Sequence, residues 1–94
     1  MKLTSAQVER TLGQIEARAI PDDHPVVSQL NDFFGEHTFF LDSNGLNIVE
    51  PVEPAQTGVE SAKLVNLANW NADDSLEPHR PEPTDIVVVL GVRH

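Results

Sequence analysis

The sequence predicts an α+β fold, with two N-terminal helices packed on one face of a three- to four-stranded antiparallel sheet in the order α-α-β-β-β-β. Three observations carry this expectation. Apolar residues recur at helical spacing up to Phe34, Asn44-Gly45 separates two strand-like runs, and the chain closes on Ile86-Val87-Val88-Val89-Leu90. At 94 residues the chain has the length of one small domain, 1–94, because two halves would each bury too little surface to fold.

The first helix opens at Thr4. Thr4 and Gln7 have the spacing of a capping box, and Leu3 and Val8 that of a hydrophobic staple. Val8, Leu12, Ile15 and Ala19 then form one apolar stripe, which predicts a helix running until Pro21 stops it. Gly13 weakens its middle by about 1 kcal/mol relative to alanine. The loop Asp22-Asp23-His24-Pro25 starts a second helix, whose bulky face is Val26, Val27, Leu30, Phe33 and Phe34 and whose stop is Gly35.

Thr38–Leu41 and Leu46–Val49 predict a β-hairpin turning at Asn44-Gly45, a pair that tolerates the positive φ angles of a type I′ turn. That register opposes Ser43 to Leu46, Leu41 to Ile48 and Phe39 to Glu50. Phe39, Leu41, Leu46 and Ile48 then share one face, and Phe40 and Val49 share the other. Residues 50–58 read as an acidic loop and 62–70 as a third strand. Residues 71–85, with Pro78, Pro81 and Pro83, read as a long acidic loop. The unbroken apolar run 86–90 predicts an interior strand covered on both faces.

Fifteen carboxylates against six Lys and Arg give a net charge of -9, with the cations scattered singly. Binding to a nucleic-acid backbone or an anionic membrane needs clustered cations and is disfavoured. There is no cysteine, so disulfides, thiolate metal sites and cysteine nucleophiles are excluded together. The N-terminus has no signal-peptide pattern and no apolar run approaches a membrane span, which makes the cytoplasm the default location.

No catalytic, nucleotide or metal motif stands out. His24, His37, His79 and His94 lack the paired spacing of metal ligands, so neither a metal nor another cofactor is expected. Ser43 lacks the preceding glycine of a nucleophile elbow, and no phosphate-cradling glycine motif is present. Glu77, His79, Arg80 and Glu82 form the densest polar cluster, where a histidine between acids could do acid–base work. A proline-bearing loop positions such groups poorly, so solvated surface is the simpler reading. Pro51 to Pro54 and Pro78 to Pro81 have Pro-x-x-Pro spacing in acidic surroundings, where chance explains them.

Two helices cover only one face of such a sheet. The long loops at 50–61 and 71–85 or a second copy of the chain could cover the other face. Phe40 and Val49, with Trp70 at a strand end, are the expected interaction face, and a homodimer or a protein partner the expected occupant. The alternative is a small-molecule or metal pocket beneath 71–85, with enzymatic activity the less favoured outcome. The run from His37 to Leu46 resembles segments of small bacterial proteins, a likeness that implies no activity and assigns no site residue.

Overall fold

A computed structural model describes residues 2–52 and 59–92. Among them the chain forms two helices, α1 (Ser5–Leu12) and α2 (Pro25–Phe34), and five strands. The strands are β1 (Arg18–Ala19), β2 (Phe40–Asp42), β3 (Gly45–Pro51), β4 (Val59–Trp70) and β5 (Leu76–Val92). They make one antiparallel meander in the order β1-β2-β3-β4-β5. The α+β class and the antiparallel sheet match the expectation, with β1 as an additional strand. Most of the loop expected at 50–58 lies outside the described residues, as do Arg93 and His94.

The Thr4–Gln7 capping box is formed: Gln7 N–H donates to Thr4 Oγ1 at 3.2 Å, and Thr4 N–H donates to Gln7 Oε1 at 2.9 Å. α1 nevertheless ends at Leu12, well before Pro21. Gly13 caps it, and Arg18 and Ala19 leave the helical path to pair with Leu41 and Phe40. Ile15 and Ala19 still join Val8 and Leu12 in one apolar cluster, reached through a turn and a strand rather than through further helix. α2 begins and ends as expected. His24 Nδ1 accepts from the Val26 N–H at 3.1 Å, and Gly35 stops the helix with φ +89°.

The hairpin pairs Asp42 with Gly45, Leu41 with Leu46 and Phe40 with Asn47. Its turn therefore centres on Ser43-Asn44. Asp42 Oδ1 organises it by accepting from the Asn44 and Gly45 N–H groups at 2.8 and 3.0 Å. Among the described residues only Asp74 has positive φ without being glycine, so the turn is not type I′. Leu41 faces Leu46 in place of Ile48, a displacement of two residues. A two-residue slip leaves every side chain on its face, so the predicted division into Phe39, Leu41, Leu46, Ile48 and Phe40, Val49 survives.

The two faces carry two cores. Phe40, Val49, Leu64, Val88 and Leu90 meet Val8 and Leu12 of α1. Phe39, Leu46, Ile48, Val65 and Leu67 meet Leu30 and Phe34 of α2. The helices thus pack on opposite faces of the sheet, not together on one. Consecutive residues at the start of β2 feed different cores: Phe39, just before the strand, lies under α2, and Phe40, its first residue, under α1.

The expected loop at 71–85 is also corrected. Only 71–75 turns, held by Asn71 Oδ1, which accepts from the N–H groups of Asp73 and Ser75 at 2.9 and 3.0 Å. From Leu76 onward the chain is strand, with register shifts against β4 at three places. Prolines are tolerated there because β5 is an edge strand, where a missing N–H can face the unpaired side. The same edge position overturns the interior placement of 86–90. Val88 and Leu90 are buried, whereas Ile86, Val87 and Val89 are exposed.

Candidate functional site

α2 does not close fully on the sheet. A cleft of about 250 Å³ lies between Val26, Leu30, Phe33 and Phe34 of the helix and Leu46, Ala68, Leu76 and Pro78 of the sheet, with Gln29 at its rim. Helical spacing puts Val26, Leu30 and Phe33 on one side of α2, and strand pairing brings Leu46 opposite Ala68 on the floor. Phe33 is 70% exposed, although it stacks edge-on against Phe34 at 4.7 Å, and Phe34 in turn lies 6.4 Å from Phe39. An apolar helical side chain left in water beside an apolar cleft is the feature that marks the site.

The floor of the cleft is built by close strand packing. Gly45 has φ +136°, and a Cβ there would stand 1.9 Å from the Ala68 carbonyl oxygen, so only glycine allows β3 to approach β4 this closely. Leu67 is the extra residue of a bulge, since Asn47 pairs with Asn66 and Leu46 with Ala68. Asn66 makes up for the interrupted ladder: its Nδ2 donates to Ala68 C=O at 3.2 Å and to Asn47 Oδ1 at 2.9 Å. Its Oδ1 accepts from Asn69 Nδ2 at 3.0 Å, and Asn69 Nδ2 also donates to Asn44 C=O at 3.0 Å. The asparagines that dilute the β-signal of 62–70 are thus the groups that hold the bulge and the hairpin turn together.

The residues singled out from the sequence fall in several places. Phe40 and Val49 are 0% and 1% exposed beneath α1, so the face they define is already covered within one copy of the chain. Trp70 is 40% exposed, and its Nε1–H donates to Asp42 C=O at 2.7 Å, which makes it a clasp on the hairpin turn. Glu77, His79, Arg80 and Glu82 do not converge. Glu77 accepts from Asn71 Nδ2 at 3.3 Å, the His79 ring nitrogens face Asn66 Oδ1 at 2.5 Å and Arg80 C=O at 2.7 Å, and Arg80 and Glu82 are exposed. Among the described residues no group of three His, Asp or Glu could hold a metal ion, and no helix is long and apolar enough to cross a membrane.

His37 stands at the end of the α2 face, edge-on to Phe39 at 6.1 Å. Burial lowers its imidazole pKa below the ordinary 6.5, against an opposing pull from Glu50. The cleft itself was only partly legible in the sequence. The spacing of Val26, Leu30 and Phe33 was visible, but the helix's partial separation from the sheet was not. No protein-family model, curated protein or solved structure matches this chain.

Proposed function

We propose that this protein is a non-catalytic binding module that takes an apolar anchor side chain of a protein partner into the cleft between α2 and the sheet. The observation that carries the reading is Phe33, exposed beside a cleft whose lining is apolar apart from Gln29. At about 250 Å³ the cleft is smaller than the ~300–1,000 Å³ of drug-sized ligand sites. It is suited to one bulky side chain of the kind that dominates protein interfaces. Among the described residues its lining has no titratable group, which favours binding over acid–base chemistry.

Charge sets the partner's flanks. Asp32 precedes Phe33, Glu77 lies between Leu76 and Pro78, and Asp73 and Asp74 form the turn before Leu76, all of them exposed. With a net charge of -9, the protein attracts an anchor carried beside Lys or Arg and repels one beside carboxylates. Tryptamine and indole-3-acetate, which present one ring with opposite charges, test this directly. Amide shifts of the labelled protein should concentrate at Leu30, Phe33 and Leu76, with tryptamine binding several-fold the more tightly and losing that advantage in high salt. Shifts located elsewhere, or equal binding of the two probes, would rule the reading out.

A further inference from the structure

Among the described residues β5 is the last strand of the meander, so its outer side faces no neighbouring strand there. At Val89 that side is nevertheless filled. Gln14 Oε1 accepts from the Val89 N–H at 2.7 Å, and Gln14 Nε2 donates to the Val89 carbonyl at 2.8 Å. Nε2 also donates to the Arg10 carbonyl at 2.9 Å, which ties the amide to the end of α1. One side-chain amide therefore makes the pair of bonds that a residue of an adjacent antiparallel strand would make.

The surroundings show what Gln14 displaces. Val89, Val88 and Val87 pair with Ser61, Ala62 and Lys63 without interruption, so the ladder's alternation turns the N–H and C=O of Val87 outward like those of Val89. Ile86, Val87 and Val89 are exposed, and Val87 is 52% so. Toward the start of β5, Pro81 and Pro83 offer no N–H to an incoming strand. Residues 84–90 contain no proline, and Gln14 occupies that stretch at Val89, toward its C-terminal end.

We infer that Gln14 is an edge guard, which holds β5 closed against antiparallel pairing with the β5 of a second copy of the chain. The second copy is the occupant that the charge pattern admits. Pairing about a two-fold axis at Val87 sets Asp85 against Val89 and Ile86 against Val88, so no like charges face each other despite the net charge of -9. Centring the pair between residues 83 and 84 would instead oppose Glu82 to Asp85. In the Val87-centred arrangement the strand of the second copy runs across Val89, where Gln14 stands, so guard and strand compete for the same two groups.

Gln14→Ala tests the guard by sedimentation equilibrium over a concentration series, with amide exchange read at Val87 and Val89. The unaltered chain should be monomeric at this edge, with Val89 protected and Val87 exchanging freely. Gln14→Ala should associate at least about tenfold more tightly, the worth of one to two hydrogen bonds, and protect Val87 as it does so. Adding Val87→Lys to Gln14→Ala should return it to monomer, because an edge lysine opposes strand addition. A folded Gln14→Ala that stays monomeric, or that associates without protecting Val87, overturns the inference. If the alanine variant does not fold, Gln14→Glu, which keeps the acceptor for Val89 N–H and loses the donor, is judged by the same two readouts.

Discussion

The two faces of the sheet receive one helix each, and they are finished differently. On the α1 side the helix seats Val8 and Leu12 on Phe40, Val49, Leu64, Val88 and Leu90, and polar bonds secure both ends. Leu3 N–H donates to the buried Thr38 Oγ1 at 2.8 Å at one end, and Gln14 binds Val89 at the other. On the α2 side Leu30 and Phe34 reach the core, but Phe33 stays in water and a cleft remains between helix and sheet. A face closed by packing and hydrogen bonds at both ends is scaffold. A helix that buries Val27 and seats Leu30 and Phe34 on the core, yet leaves a cleft beside Phe33, offers a place where binding can occur without disturbing the fold.

Phenylalanines on the two sides offer the sharpest way to test that difference. Phe40→Ala empties a fully buried site under α1 and should cost about 3–5 kcal/mol in urea unfolding. If it cost under 1 kcal/mol, the α1 face would not be the scaffold. Gly45→Ala acts at the floor shared by both sides. Positive φ and the Ala68 carbonyl both oppose a Cβ there, so a loss of about 2–4 kcal/mol is expected from thermal or urea unfolding.

A smaller effect comes from His37. Because its pKa is lowered in the folded state, the unfolded chain binds a proton first as the pH falls below about 6.5. Stability attributable to this group is therefore present above pH 6.5 and is lost as the pH drops through the folded value. His37→Gln should flatten that part of the pH–stability curve, and an unchanged curve would remove His37 as its source. Least of all in stability, Phe33→Ser should stay within about 0.5 kcal/mol of the parent, since the ring is largely in water. The same change should abolish the tryptamine-induced shifts, separating binding from folding.

How much of this was legible depended on whether the signal was local. The capping box at Thr4, the start and stop of α2, and the alternation of Phe39 and Phe40 are set by groups within a few residues, and each appeared as expected. α1 is shorter than its apolar periodicity predicts, because the spacing of Ile15 and Ala19 fits a helix equally well as a turn and a strand reaching the same core. Most of 71–85 is strand rather than the expected loop, because the prolines that forbid a central strand are accepted at an edge. Glu77, His79, Arg80 and Glu82 are close in sequence, but β5 hands Glu77 and His79 to different asparagines.

By itself the sequence determined the α+β class, the two helix starts, the hairpin and the division of its side chains between two faces, because periodicity and turn chemistry act over short range. Only the tertiary structure decided that the helices take opposite faces, that β5 lies at an edge, and that Gln14 meets Val89 across 75 residues of chain. Those are choices among arrangements with the same local pattern. Burial settles them: a sheet with apolar residues on both faces needs a cover on each, and two helices divided between the faces provide it within one chain.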